Sequence, residues 1–286
     1  MSKISRREAI QAGIGLAAGA AAGAGTLLHW AEAWAADQPW KPEPGAKIRM
    51  LRWNRFVESE DIQFDKNIAA FTTATGIPVR LDKEFIDDIQ PKASVAANVG
   101  AGPDIVWGPM VIPHLIPDKL LAVNDVADYL GGKYGGWYDM PRRYATRGSK
   151  WMAIPLCTGG NYINYRKSWM NEAGFKTFPD TTDGLLTLSK ALKKNGHPGG
   201  MALGHATGDA NAWTYWLLFA FGGRITDEQG KVAINSPETV AALEYIRELY
   251  PHWIAGTASW NDSNNNKAFL SGQVSYTNNE IGRAHV

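Results

Sequence analysis

The sequence predicts an α/β protein of two lobes, on three observations. Residues 48–56, 62–71 and 77–81 read in turn as strand, helix and strand. At 286 residues the chain is long enough for two domains. Near its middle, residues 151–166 (W-M-A-I-P-L-C-T-G-G-N-Y-I-N-Y-R) place two extended runs on either side of Pro155 and the Gly159-Gly160 pair. Proline fixes one backbone angle while paired glycines permit almost any, so residues 157–161 read as a hinge crossing between lobes. The alternative is an ordinary strand, loop and strand inside one domain.

Residues 1–35 read as an export leader. Lys3, Arg6 and Arg7 precede an uncharged Ala/Gly-rich run over 9–28, and Ala33-Trp34-Ala35 offers small residues where a signal peptidase cleaves. Ser5-Arg6-Arg7-Glu8-Ala9-Ile10 resembles the twin-arginine export motif, with Ala9 departing from the bulky apolar residue preferred there. The other reading is an uncleaved anchor helix, which the many glycines disfavour. The Gly13-x-Gly15-x-x-x-Gly19 spacing has no strand before it and is set aside as a dinucleotide loop. Residues 36–46, with Pro39, Pro42 and Pro44, form a tether.

Lobe 1 is assigned to 47–156. A strand over 48–56 carries Trp53-Asn54-Arg55 at its far end, and Ile62, Phe64, Ile68 and Phe71 mark an apolar helix face ending near Gly76. A strand over 77–81, a helix over 87–99 closed by Gly100, and a short strand over 103–107 follow, which argues for a parallel sheet with right-handed crossovers. Residues 115–123 and 126–130 add shorter elements, and 131–137 is a Gly- and Tyr-rich loop.

Lobe 2 is assigned to 162–286. Thr181 caps a helix over 182–195 that carries Leu185, Leu188 and Leu192 on one side and Lys190, Lys193 and Lys194 near its C-terminus. Residues 212–221 are apolar nearly all round, which predicts a buried helix with Trp216 in the core. Ser236-Pro237-Glu238 starts a helix with Val240, Leu243, Ile246 and Tyr250 along one face. A helix over 263–270 and a strand over 274–277 complete the order.

Composition narrows the function. Lys and Arg number 29 against 28 Asp and Glu, and without the leader (+3 − 2 = +1) the net charge falls from +1 to 0, so nucleic acid is not an expected partner. The single cysteine, Cys157, excludes an internal disulfide and any cysteine-built zinc or iron–sulfur site, and it is expected as a small buried hydrophobe. His197, His205 and His252 lack metal-ligand spacing, and no cofactor is expected.

The order of pieces resembles the extracellular solute-binding proteins of bacterial ABC importers, in the sugar-binding family related to maltose-binding protein. The resemblance rests on F-T-T-A-T-G-I-P-V (71–79), G-P-D-I-V (102–106), A-I-P-L (153–156), N-Y-I-N-Y-R-K (161–167), N-E-A-G-F (171–175), F-P-D-T-T-D-G (178–184), F-G-G (221–223), N-S-P-E-T-V-A-A-L (235–243) and A-F-L-S-G-Q-V (268–274). It implies a two-lobed periplasmic-binding-protein type II-like fold whose lobes close on a solute and then dock on membrane permease subunits. It further implies that family members continue beyond the counterpart of Val286. On that basis lobe 2 and the return to lobe 1 are incomplete, and low stability is expected.

A pyranose offers C–H faces to aromatic rings and hydroxyls to paired donors and acceptors. The candidate ligand residues are Trp53, Asn54, Arg55, Trp107, Gly160, Asn161, Tyr162, Asn211, Trp213 and Trp260, drawn from aromatic–polar groups at predicted element ends, with core packing the alternative for each tryptophan. The resemblance adds Asn278. The expectation is a periplasmic importer component, exported by the twin-arginine machinery without a lipid anchor, that binds a sugar or polyol and catalyses nothing. The alternatives are an exported glycosidase-like enzyme, for which Glu58/Glu60/Asp61 and Asp87/Asp88 supply carboxylates, or a binding protein for a solute such as glycerol phosphate. No G-x-S-x-G, H-E-x-x-H or C-x-x-C supports catalysis.

Overall fold

The computed structural model describes residues 39–54, 58–157, 159–205 and 208–280. The leader, the start of the tether, Arg55 and Thr158 of the predicted crossing lie outside the described residues. Two compact units are present, Met1–Pro155 and Leu156–Val286.

In the first unit β1 (Ile48–Trp53) is the central strand of a parallel sheet of order β2-β1-β3, with β2 at Val79–Glu84 and β3 at Ile105–Trp107. Helices α1 (Glu58–Thr75) and α2 (Ile86–Val99) make the two crossovers that parallel pairing requires. β2 runs three residues beyond the predicted end at Leu81. The charged residues of this extension are paired: Asp82 with Arg49, Lys83 with Asp65, and Glu84 with Lys92. Leu51, Ile89, Ala93 and Ile112 form the core beneath the sheet, with Trp53 and Val106 packed against it. A Cβ on Gly108 would come within 2.4 Å of the Ile112 side chain and 2.9 Å of Ile89, so the exit from β3 needs glycine.

Short helices α3 (Ile112–Leu115), α4 (Asn124–Tyr134) and α5 (Asp139–Ala145) precede the two-residue hairpin of β4 (Thr146–Arg147) and β5 (Lys150–Trp151). The loop predicted over 131–137 is corrected. α4 continues to Tyr134, and Gly135, at φ 89°, is its left-handed cap. Trp137 explains the glycine within the helix: its indole N–H donates to Ala127 at 3.0 Å, and a Cβ on Gly131 would lie 2.8 Å from the indole nitrogen.

In the second unit β6 (Asn161–Tyr165) and β7 (Tyr276–Glu280) pair antiparallel. Around them lie α6 (Lys167–Glu172), α7 (Thr182–Lys194), α8 (Asp209–Ala220), α9 (Pro237–Leu249) and α10 (Asn264–Leu270). The predicted caps are present: Thr181 Oγ1 accepts from the Gly184 N–H and Ser236 Oγ from the Thr239 N–H. Leu188, Leu192, Trp213, Leu217, Leu249 and Trp253 are among the residues of the main core, and Tyr276 passes through it. The Tyr276 phenol shares a 2.6 Å hydrogen bond with Ser189 and accepts from the Trp253 indole at 2.8 Å. Burial pushes it up to about 12.

Three burial expectations are corrected. α8 is not buried all round: Trp216 is 45% exposed and Tyr215 and Phe219 share its outer side, while Ala210, Trp213, Leu217 and Leu218 face inward. α9 buries Ala242, Tyr245 and Leu249, whereas Val240 and Leu243 lie outward. Periodicity located a stripe there but not the stripe that meets a neighbour. Cys157 is exposed, because residues 152–157 are irregular and the last side chains of that stretch packed on a core are Ala153 and Ile154. Among the described residues no helix is long and apolar enough to cross a membrane.

Candidate functional site

Each unit places aromatic and amide side chains at one edge of its sheet. In the first unit Trp53, Glu84 and Trp107 are the last residues of three parallel strands and therefore lie on one carboxyl edge, where open α/β sheets hold their ligands. The Asn54 N–H continues the ladder to the Glu84 carbonyl at 2.7 Å. α1 and α2 both begin at this edge, at Glu58 and Ile86, and Phe85 stands partly exposed at the N-cap of α2. Trp53 and Trp107 are half-buried. Trp53 leans on the core beneath it, and Trp107 meets Phe64 at 5.1 Å and 52°. Acid–base pairs flank the edge: Glu84 lies 2.6 Å from Lys92, and the Arg49 hydrogen bond, stronger than the opposing desolvation, holds the Asp82 carboxyl below its usual range.

In the second unit the start of β6 meets the end of β7. Asn161 is paired with Glu280, Tyr162 with Asn279 and Ile163 with Asn278. Asn161 and Tyr162 are exposed. Tyr162 folds over Gly160, where an added Cβ would fall 2.6 Å from the phenol oxygen. The Asn164 amide donates to the carbonyls of Tyr162 and Asn279 at 3.3 and 3.1 Å and ties the two strands together. Asn278 is only 6% exposed, and its Nδ2 has no hydrogen-bond partner among the described residues.

A buried polar layer runs from this edge into the helices. The Asn279 amide donates to Asn266 Oδ1, the Asn266 amide to the Asp262 carbonyl at 3.4 Å, and the Asn265 amide to the Asn278 carbonyl at 3.1 Å. The Asp262 carboxylate in turn accepts the N–H groups of Gly208, at 2.9 and 3.2 Å, and of Asp209 at 2.8 Å. Gly208 has no side chain with which to cap α8, so Asp262 supplies the cap from elsewhere in the unit. Sequence reading missed Asp262, Asn265, Asn266 and Asn279 as structural groups. A signal was present: asparagine disfavours both helix interior and strand, yet it recurs over 261–266 and at 278–279.

The expected residues thus separate into two groups. Trp53, Asn54 and Trp107 share the edge of the first unit. Gly160, Asn161, Tyr162 and Asn278 meet in the second, where Trp260, half-buried between small clusters, and the exposed Asn211 on α8 flank the Asp262 cap. Trp213 is placed in the core, 1% exposed, with its indole N–H on the Ala202 carbonyl and its ring edge-on to Trp253. Chemically, both edges offer ring faces and neutral amides. Neighbouring carboxylates are engaged: Asp61 with Arg52, and Asp262 with two backbone N–H groups.

This architecture has counterparts of known structure. Maltose-bound MalE3 of T. maritima superposes with a TM-score of 0.74 at 22% identity, over 84% of this chain and 62% of its own. An ABC transporter solute-binding protein from Agrobacterium vitis S4 with bound D-mannitol gives 0.72 at 18% identity, over 84% and 59%. The fold is therefore that of the two-lobed solute-binding proteins. Residues 66–286 match the bacterial extracellular solute-binding protein family, and the chain belongs to it. A probable ABC transporter-binding protein of Deinococcus radiodurans is 29% identical over 157 residues, which are 51% of this chain and 35% of that protein. The chain thus spans less than two thirds of the length of these relatives.

Proposed function

We propose that this chain is the substrate-binding component of an ABC importer, which captures a neutral sugar or polyol in the periplasm and hands it unaltered to membrane permease subunits. Asn278 carries the reading. A buried amide without a partner among the described residues costs about 1–3 kcal/mol, and Asn278 stands opposite Ile163 on the sheet face it shares with the exposed Asn161, with Tyr162 next along the strand. A solute hydroxyl accepting from that amide removes the cost, and Tyr162 offers the ring face that a sugar's C–H groups require. Family membership and the ring faces and neutral amides at the two edges point the same way. Trp53, Asn54, Arg55 and Trp107 supply the first unit's share, and Gly160, Asn161, Tyr162, Asn211, Trp260 and Asn278 the second's. Trp213 is left out. Residues 1–35 act as a twin-arginine leader, 36–46 as a tether and 157–161 as the hinge crossing between lobe 1 (47–156) and lobe 2 (162–286).

The test is calorimetric and fluorescence titration of the purified chain with neutral mono- and oligosaccharides, polyols and glycerol phosphate, with chromatography of the solute afterwards. Saturable binding of a neutral solute recovered intact is expected. Silence across the panel, a response to glycerol phosphate alone, or cleavage of an oligosaccharide would each overturn the reading.

A further inference from the structure

One rung crosses the sheet of the first unit: Lys83 of β2, Arg52 of β1 and Trp107 of β3 stand in register. α1 covers this rung with Asp65, 2.9 Å from Lys83, and with Asp61, 3.1 Å from Arg52; the two carboxylates are four residues apart and lie on one helix face. The Arg52 side chain is completely buried. Its guanidinium lies 4.0 Å from the Phe64 ring centre and 4.9 Å from that of Trp107. An apolar side chain of similar volume in such a place is often as stable as a buried ion pair or more so, so stability alone is weak grounds for an arginine. What arginine adds is geometry: a planar cation that stacks on aromatic faces while its edge faces a carboxylate.

We propose that Arg52 is a positioning residue, whose guanidinium, held by Asp61, fixes the Trp107 ring at the carboxyl edge of the sheet. Asp61 belongs to the first turn of α1, so the same contact also pins the start of that helix. The consequence for solute affinity rests on the reading of Trp107 as part of the site; the geometric claim stands without it.

The experiment labels the full chain with 5-fluorotryptophan and assigns the Trp107 fluorine resonance by its loss in Trp107→Phe. In Arg52→Met and Asp61→Asn the Trp107 resonance is expected to shift and broaden while the other tryptophan signals hold. Arg52→Lys, which keeps the charge without the plane, restores it only in part. Maltose and D-mannitol are then titrated into each variant, and whichever binds the parent is expected to bind Arg52→Met at least tenfold more weakly. An unchanged Trp107 resonance in both Arg52→Met and Asp61→Asn overturns the proposal. Should Arg52→Met fail to fold, Asp61→Asn and Arg52→Lys decide it alone. Should neither solute bind the parent, the binding reading suffers and the fluorine result still decides the role of Arg52.

Discussion

Asp262 accepts the backbone N–H of Gly208 through both carboxylate oxygens, at 2.9 and 3.2 Å, across 54 residues of sequence. This joins the start of α8 to the turn before α10, so the cap belongs to the tertiary fold and not to the helix. Asp262→Ala removes a cap and strands buried donors, an expected loss of about 2–4 kcal/mol. Asp262→Asn keeps one acceptor and loses less. Urea unfolding gives the energies, and hydrogen exchange at the first turn of α8 gives the location; an alanine variant within about 0.5 kcal/mol of the parent would contradict the assignment.

The Asn278 amide separates binding from folding. Asn278→Ala removes a donor that no described residue uses, so stability is expected to hold within about 0.5 kcal/mol or rise slightly. Solute affinity should fall roughly tenfold to a hundredfold, about 1.4–2.8 kcal/mol. Loss of stability without loss of affinity would assign Asn278 to packing.

Tyr276 makes the second unit sensitive to alkali. Its phenol is held up to about 12 by burial against an ordinary 10.0. Between these values the unfolded chain has released the proton and the folded one retains it, so stability falls as pH rises. The contribution is intact below pH 10 and is lost progressively by about pH 12, roughly 2–3 kcal/mol in all. Tyr245, also raised, with burial the largest cause, acts in the same direction. Urea midpoints from pH 8.5 to 11.5 should decline, and less steeply in Tyr276→Phe, which starts lower because it loses the Ser189 and Trp253 bonds. Equal slopes in the two proteins would refute the assignment to Tyr276.

Two glycine substitutions should behave differently. A Cβ on Gly199 would lie 2.2 Å from the fully buried Tyr276 ring, so Gly199→Ala overpacks the core and costs about 1–3 kcal/mol or more. On Gly160 the obstacle is the exposed Tyr162 phenol, which can swing away. Gly160→Ala should leave the melting temperature unchanged and weaken solute binding by displacing that ring. Thermal melts together with titrations of both variants make the comparison.

Trp213 and Trp216 lie three residues apart in one helix and should differ most. Trp213→Ala is expected to cost about 3–5 kcal/mol. Trp216→Ala, at a 45% exposed position, should change stability by less than about 0.5 kcal/mol. Comparable losses from denaturant melts would place Trp216 in the core after all.

That pair also marks how far the sequence could be read. Features set by local chemistry were legible: the Thr181 and Ser236 caps, the strand–helix–strand alternation, and the Gly100 terminus of α2. Features set by a distant partner were not. The run over 212–221 is apolar nearly all round, so composition says little about which side meets Tyr276 and Trp253. In α9 the Val240 and Leu243 stripe is as regular as the Tyr245 and Leu249 stripe that is buried. The glycines of α4 suggested a loop, and the reason for Gly131, the Trp137 ring passing over it, appears only once the helix is folded. Among the site residues, aromatic–amide pairs could be found by eye, and Trp53, Asn54 and Trp107 do share one edge. The Asp262–Asn266–Asn279 layer exists only once β7, α8 and α10 are assembled, and Trp213 became a core residue for the same reason.

Because Cys157 is the one thiol of the chain and stands exposed two residues after Pro155, the molecule carries its own attachment point. A single maleimide dye reports from that segment without any engineered residue. The same exposure makes a reductant advisable during purification, since air oxidation would join two copies through that sulfur.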